Sequence, residues 1–284
     1  REELKQMSDK EKIQLLEELK NNSNEINKVE VIRSLFTDEL KSSCIHYLSQ
    51  DDSKSAITYS MTEEENKYKV ISSLTDEKAI TSATIELSDN IYKIKLLSKI
   101  TSSNYKDYII QSLIGNDEEI VKNLDIVENE KDKSMIISNL SNNDVKKSYL
   151  KDIKYFNNRS LIVTTIKDEE LKHKYINNAR NNAIKTLLIA SLENRNERNN
   201  LLNTNNNSYS NFAIPNKMTI GIEIETEGEG STESYLVEKI IKGWNSKRDT
   251  SLKNGVEIAS PILSNDKEDT EDLYCVCKIL NDLG

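Results

Sequence analysis

Apolar residues recur at intervals of thirteen along the first two hundred residues of the chain. Many of them have further apolar residues three and four positions earlier, which is the spacing of one face of an α-helix. The period gains one residue after Ile126, and the full series is Leu35, Leu48, Met61, Leu74, Leu87, Ile100, Leu113, Ile126, Leu140, Ile153, Ile166, Ala179 and Leu192. The pattern predicts a tandem array of short amphipathic helices.

Polar residues mark the predicted start of each helix. A side-chain oxygen there accepts a hydrogen bond from the first backbone N–H groups, and acids that follow favour the positive end of the helix dipole. Thr62 with Glu65, and Asn116 with Glu119, have or approach the spacing of a capping box. The other residues interpreted as N-caps are Thr37, Thr75 and Ser88.

A unit of thirteen residues leaves about nine or ten for its helix, roughly 15 Å in length. Helices this short are marginal alone, so they must stack. Two units make a helical hairpin, and stacked hairpins form an α-solenoid whose stability is a sum of nearest-neighbour interfaces. We therefore predict an α-solenoid over residues 1–202, a pattern broadly similar to HEAT-like helical repeats.

Glycine and proline divide the chain into two parts. Of seven glycines only Gly115 precedes Gly221, and both prolines, Pro215 and Pro261, lie in the last quarter. An asparagine-rich tract lies before this change, and such a polar segment cannot bury enough surface to offset its ordering entropy. The expected fold is α+β overall, with the solenoid, a linker at residues 203–216, and the start of an α+β sheet domain at residues 217–284.

Composition narrows the classes of function. The formal charge of -9 and the lack of a basic patch argue against nucleic-acid binding. No apolar run approaches the roughly 20 residues that cross a bilayer. Three cysteines, Cys44, Cys275 and Cys277, are too few for a disulfide scaffold and indicate a reducing cytoplasm. The C-x-C pair lacks partner ligands for structural zinc, so both thiols are interpreted as ordinary buried groups.

Aromatic residues and histidines of the repeat region carry little specific signal. His46 and His173 lie far apart without ligand neighbours and are expected to be structural or exposed. The tyrosines could decorate a concave binding face, or they could be rim residues of the core, which is the commoner role on an amphipathic helix. These tyrosines are Tyr47, Tyr59, Tyr68, Tyr92, Tyr105, Tyr108, Tyr149, Tyr155 and Tyr175.

The segment IGIEIETEGEG, residues 220–230, alternates acidic residues with others. Side chains two apart on a strand share a face, so an extended segment would place Glu223, Glu225, Glu227 and Glu229 in one file. Like charges in a file repel, so the row either lies in water or is neutralised by a cation. Glu227 and Glu229 are interpreted as solvated loop carboxylates.

Three ordered motifs lie between residues 221 and 263, with the patterns G-x-E-x-E, W-x-x-x-x-D-x-S-L and G-x-E-x-x-S-P-x-L. Their residues are Gly221, Glu223, Glu225, Trp244, Asp249, Ser251, Leu252, Gly255, Glu257, Ser260, Pro261 and Leu263. In order, spacing and residue type they resemble the amidoligase family, relatives of glutamine synthetase and glutamate–cysteine ligase with the carboxylate–amine ligase fold. The resemblance covers residues 217–284 only.

The resemblance implies ATP-dependent amide-bond formation, in which a carboxylate is phosphorylated and an amine then displaces phosphate from the acyl phosphate. It implies ATP and Mg²⁺ or Mn²⁺ as cofactors, with Glu223, Glu225 and Glu257 as metal ligands, because hard cations take oxygen ligands. Asp249 and Ser251 resemble a loop beside the entering amine, where Asp249 would help remove a proton. An Asp-x-Ser pair is equally a common turn former.

The family continues past the S-P-x-L strand with histidines and basic residues that this sequence does not reach. We therefore expect a fragment of a longer ligase, inactive alone, with the solenoid binding a peptide, a protein or another carboxylate or amine substrate. The main alternative is a helical-repeat interaction scaffold with a catalytically inactive appendage. A third possibility is phosphotransfer to a nitrogen acceptor, because guanidino kinases have a related fold.

Overall fold

The computed structural model describes residues 2–21, 24–203, 221–226, 241, 243–249, 255–263 and 267–283. These residues are mostly helical and include a small antiparallel sheet of three strands, so the expected combination of a helical region and a sheet is confirmed. Two compact units are present, Arg1–Thr101 with Tyr108–Val127, and Ser102–Asp107 with Glu128–Gly284. The domain limits at residues 202 and 217 stay a prediction, and linker residues 204–216 lie outside the described residues.

Within the described residues, sixteen α-helices precede the sheet and one follows it. In chain order they are α1 (Glu2–Gln6), α2 (Asp9–Glu18), α3 (Glu25–Arg33), α4 (Asp38–Ser43), α5 (Asp51–Thr58), α6 (Glu64–Ser72), α7 (Glu77–Ile85), α8 (Asn90–Leu96), α9 (Ser103–Gln111), α10 (Asp117–Val121), α11 (Glu130–Asn139), α12 (Asn143–Tyr149), α13 (Phe156–Thr164), α14 (Glu169–Asn178), α15 (Asn182–Ala190), α16 (Arg195–Asn203) and α17 (Lys267–Leu283). The strands are β1 (Glu223–Thr226), β2 (Asn245–Asp249) and β3 (Gly255–Ala259).

Most members of the apolar series with a period of thirteen lie in the core of the helical region. Ten of its thirteen members are buried, while Leu113 and Ala179 are half-buried and Ile126 is exposed. Ile126 ends a short 3-10 turn immediately before the period gains its extra residue, and Leu124 is buried there instead. The insertion therefore shifts which residue enters the core.

Helices contact their second neighbours along the chain as well as their first. In the first unit α3 contacts α5, α4 contacts α6, α5 contacts α7, and α6 contacts α8. In the second unit α11 contacts α13, and α13 contacts α15. These short helices therefore bury their apolar stripes against both first and second neighbours, which compensates for their marginal stability in isolation.

Two of the predicted caps are confirmed. The Thr37 side chain accepts a hydrogen bond from the backbone N–H of Leu40 at 3.2 Å, and Asn116 forms a capping box with Glu119. The prediction was wrong for the three residues Thr62, Thr75 and Ser88, since the helices there are preceded by the N-cap residues Glu63, Asp76 and Asp89.

The three misassigned residues instead bind an acid that lies 24 residues earlier. Asp51 accepts hydrogen bonds from the backbone N–H and the hydroxyl of Thr75 at 2.6 and 2.8 Å. Asp38 accepts the same pair from Thr62 at 2.6 and 3.1 Å, and Glu64 accepts the backbone N–H of Ser88. The carboxylate links the start of one helix to the loop before the helix that lies two positions further on.

This contact recurs with a constant offset. In nine helices, the side chain of the first residue accepts a hydrogen bond from the backbone N–H of the residue 24 positions further on. We name these the staple residues, and they are Glu25, Asp38, Asp51, Glu64, Glu77, Asn90, Glu130, Asn143 and Glu169. Seven of the nine are acids, and each of these acids therefore makes a tertiary contact as well as favouring the positive end of its helix dipole.

Buried lysines form a second periodic contact, at the position three residues after a staple residue. Lys41, Lys93, Lys146 and Lys172 each donate to a backbone carbonyl 19 residues further on, at the end of the following helix. All four are buried, and Lys41 also forms an ion pair with Asp38 at 3.1 Å. The central lysine of the sequence pattern thus caps the carboxyl end of a neighbouring helix.

The last helix, α17, packs against α15 and α16 of the second unit. Its Asp272 forms ion pairs with Arg195 at 2.7 Å and with Arg198 at 2.8 Å, while its Asp282 contacts Thr186. Its buried residues include Leu273, Cys275, Val276 and Ile279. None of the helices in the described ranges is both long and apolar enough to cross a membrane.

Candidate functional site

The sheet contains parts of all three sequence motifs. Strand β3 lies between β1 and β2, and both pairings are antiparallel. Short strands rich in alternating apolar and polar residues fit a sheet with one buried and one solvated face. The reverse of the acidic row is apolar, because Ile224 pairs with Ile258, which is fully buried.

The strand register places the three candidate metal ligands on one face. Glu225 pairs directly with Glu257, and Glu223 lies two residues before Glu225 on the same strand, opposite Ala259. Glu223 and Glu225 are exposed, while Glu257 is half-buried. Alternation along a strand puts positions two apart on the same side. The metal role of these residues stays a prediction.

The candidate substrate residues are only partly within the described chain. Asp249 is the last residue of β2 and pairs with Gly255, two positions beyond the pairing of Lys247 with Glu257. Asp249 and Lys247 therefore belong to the alternate positions of β2 that share a sheet face with the position of Glu257. Ser251, Leu252, Glu227 and Glu229 lie outside the described residues, so the loop role of Asp249 with Ser251 remains an expectation.

The donor chemistry of the acidic face suits a hard divalent cation. Directly opposed residues of an antiparallel pair have Cβ atoms about 4.5–5.5 Å apart, and like charges there are destabilising unless they are neutralised. Glu225 and Glu257 hold such positions. In the parts of the chain that the structure describes, however, no three His, Cys, Asp or Glu side chains form a group that could hold a metal ion.

Ser260 has a role that the sequence motif did not reveal. Its hydroxyl accepts a hydrogen bond from the backbone N–H of Ile222 at 2.8 Å, and its own N–H donates to the carbonyl of Ile222 at 2.8 Å. These bonds continue the pairing of β1 with β3 by one residue. The hydroxyl also donates to the carbonyl of Pro261 at 2.7 Å. The serine before proline thus fixes the register of the acidic strand.

Comparisons with known proteins add no identification. No protein-family model, curated protein or solved structure matches the chain. Function is therefore inferred from the residues of the chain itself.

Trp244 and its neighbours serve packing. Trp244 is 1% exposed, and Leu263, at the end of the third motif, is also buried. Gly243 has φ +89°, a left-handed conformation that favours glycine, and a Cβ atom there would meet the Pro261 ring at 3.6 Å. The glycine before the tryptophan thus turns the chain so that the indole enters the core beside β2.

The remaining candidate residues, two cysteines and both histidines, have environments typical of structural or exposed residues. Burial raises the pKa of the Cys275 thiol to about 12, so this cysteine is protonated at neutral pH. Burial also raises the pKa of Cys277. His173 lies 3.4 Å from the carboxylate of Glu197, and the Nδ1 atom of the exposed His46 lies 2.7 Å from a backbone carbonyl. These contacts agree with the structural or exposed role expected of both histidines.

Proposed function

We propose that the chain is part of an ATP-dependent carboxylate–amine ligase, an amidoligase that forms amide bonds through an acyl phosphate. The observation that carries the proposal is the pairing of Glu225 with Glu257, with Glu223 on the same face. The three motif glutamates come from two adjacent strands, as the resemblance to amidoligases implies. This arrangement supports a shared role, since Ile224 pairs with the buried Ile258 on the reverse side while Glu223 and Glu225 are exposed.

The proposed cofactors are ATP and Mg²⁺ or Mn²⁺. Glu223, Glu225 and Glu257 would hold the ion, which would neutralise nucleotide phosphates. Asp249, with Ser251, would hold the amine and accept its proton. Asp249 is supported by its place on β2, beside the strand that carries Glu257.

The repeat region would present the substrate. We propose that its helices form an α-solenoid of helical hairpins, which is supported by contacts between second neighbours and by the constant offset of the staple residues. Such arrays bury a continuous core and expose extended surfaces that suit a peptide or protein partner. A reducing cytoplasm is the proposed location, in keeping with three cysteines that form no disulfide.

The second candidate function is that of an interaction scaffold with a catalytically inactive appendage. The observation that favours it is the extent of the staple contacts, which recur from Glu25 to Glu169. Stacked repeats of this kind act mainly by binding other proteins. The two candidates make opposite predictions about nucleotide turnover.

The test is the substitution Glu225→Gln in the full-length protein of which this chain is proposed to be a part; it keeps the size of the side chain and removes one charge. We expect magnesium-dependent ATP hydrolysis to be abolished and the affinity for Mn²⁺ to fall at least roughly tenfold. The far-ultraviolet circular dichroism should not change, because Glu225 is exposed. Turnover can be followed by ADP release and Mn²⁺ binding by electron paramagnetic resonance.

The matched control is Glu65→Gln, which removes the same charge from an exposed glutamate on α6. It should leave ATP hydrolysis and Mn²⁺ affinity as they are in the parent protein. Unchanged turnover in Glu225→Gln would overturn the metal assignment. Absence of magnesium-dependent turnover in the parent protein itself would favour the scaffold.

A further inference from the structure

A surface cavity of about 890 Å³ lies in the second unit, between α13, α14 and the start of α15. Its volume is in the range of ligand-sized sites in proteins. The residues on which the argument depends are Phe156, Arg159, Lys174, Tyr175, Asn178 and Arg180. We name this cavity the basic groove. It lies outside the sheet that carries the motif glutamates.

The basic groove has an aromatic floor. The rings of Phe156 and Tyr175 stack with their centroids 5.2 Å apart and an angle of 19° between their planes. Both side chains are half-buried, so each ring packs partly against the protein and partly faces the groove. Aromatic surfaces of this kind contribute large contact areas at low cost in conformational entropy and are common at binding sites.

The walls of the groove are positively charged. Arg159, Lys174 and Arg180 line it, and none of its described lining residues carries a carboxylate. Arg159 is held in place because its Nη1 atom donates to the carbonyls of Ile153 and Lys154 at 2.7 and 2.8 Å. Within the part of the chain that the structure describes, neither Lys174 nor Arg180 has an ion-pair partner. Three cations therefore line one groove in a chain with a net charge of -9.

We propose that the basic groove binds an acidic peptide segment in extended form. Its cations would pair with Asp or Glu side chains, and the rings of Phe156 and Tyr175 would cover the apolar parts of the ligand. The amide oxygen of Asn178 offers an acceptor for a peptide N–H, since its Nδ2 atom already donates to the Lys174 carbonyl at 2.7 Å. The proposal rests on the substrate-presenting role proposed for the repeats, and it names acidic peptides as that substrate or partner.

A peptide fits better than a nucleic acid because of the charge of the whole protein. A nucleic acid carries charge along its entire length, so an acidic protein repels it beyond the groove. A short acidic peptide concentrates a few charges at the groove itself. Each exposed ion pair contributes little to binding, so the aromatic floor is needed for useful affinity.

The experiment measures fluorescence anisotropy of a short labelled peptide of alternating Glu and Ala residues, titrated with the intact protein. The variant Lys174→Gln/Arg180→Gln should bind it roughly tenfold more weakly. Both residues are exposed, so the variant should fold. The matched control, Lys151→Gln/Lys185→Gln, removes two exposed cations that do not line the groove and should bind as the parent protein does.

Four results would overturn the proposal. The parent protein could fail to bind the acidic peptide, or could bind equally well to the same peptide with Gln in place of Glu. The control variant could weaken binding as much as the groove variant, which would indicate non-specific charge attraction. Binding of oligodeoxythymidylate through Lys174 and Arg180, with no binding of the peptide, would assign the groove to single-stranded nucleic acid. None of these measurements depends on ATP turnover, so they can fail while the ligase proposal stands.

Discussion

At the residue scale, the staple residue Asp38 combines several bonds in one buried carboxylate. Asp38 accepts from the backbone N–H groups of Thr62 and Glu63 at 2.6 and 2.8 Å and from Lys41 at 3.1 Å. Burial alone would raise the pKa of Asp38, but the hydrogen bonds from Glu63, Thr62 and Lys41 lower it to about 2. The charged form is therefore the one that the fold stabilises.

The substitution Asp38→Asn tests this account. At neutral pH we expect a loss of about 1–2 kcal/mol in the free energy of unfolding, because a charged acceptor of several bonds becomes neutral. The folded pKa lies below the ordinary value of 3.8, so the stabilisation is present above about pH 4 and is lost as the pH falls towards 2. The difference between parent and variant should accordingly shrink between neutral pH and about pH 3. Urea unfolding followed by circular dichroism at several pH values measures it.

Asp52→Asn is the matched control, since Asp52 is an exposed acid in the first turn of α5. It should change the free energy of unfolding by less than about 0.5 kcal/mol at any of these pH values. An equal effect of the two substitutions would mean that Asp38 acts through general charge and not through its bonds to Thr62 and Glu63.

The sequence shows which residues are polar at the start of each unit, but it does not show their partners. Thr75 looks like an N-cap because local spacing is all that a sequence displays, yet its N–H and hydroxyl bind Asp51 from another helix. Thr37 and Asn116 were predicted correctly because their contacts are local, three residues away. The constant 24-residue offset could have been found from the joint recurrence of an acid and a Ser or Thr.

At the scale of elements, the motif strands were predictable and their pairing was only partly so. Alternation of Ile and Glu predicts that Glu223 and Glu225 share a face, which follows from strand geometry alone. The pairing of Glu225 with Glu257 depends on tertiary register, which the Ser260 bonds to Ile222 help to fix. The contacts of α17 were not predictable, since they join residues 74 and 96 positions apart.

The docking of α17 depends on one carboxylate as well as on its apolar face. Asp272 receives Arg195 and Arg198, and the Arg198 side chain is only 10% exposed. Asp272→Ala should therefore lower the free energy of unfolding of the second unit by about 1–3 kcal/mol, because it leaves a largely buried guanidinium without this acid. Amide hydrogen exchange should become faster in α17 and in α16.

The control for this helix is Asn281→Ala, which changes an exposed residue of α17. Its exchange rates should match those of the parent protein. If Asp272→Ala left the exchange of α17 unchanged, the apolar residues Leu273, Val276 and Ile279 alone would account for its docking.

At the scale of the whole molecule, the contacts are mostly between near neighbours in sequence. Helices touch their first and second neighbours within each unit, and the staple residues link positions 24 residues apart. A chain of this kind should distribute its stability as a sum of local interfaces. The apolar period predicted these short helices, but the exposure of Ile126 shows that one inserted residue shifts the pattern locally.

Because stability is expected to be local, substitutions of two fully buried isoleucines in different units should each affect mainly their own unit. Ile71 lies in α6 of the first unit and Ile162 lies in α13 of the second. Ile71→Ala and Ile162→Ala should each cost about 2–4 kcal/mol locally, because each leaves a cavity in a packed core. Amide exchange should accelerate mainly in the unit that carries the substitution, since nearest-neighbour stability does not spread far. An equal loss of protection throughout the chain in both variants would show instead that the helices unfold as one cooperative structure, and the proposed solenoid would lose its thermodynamic support.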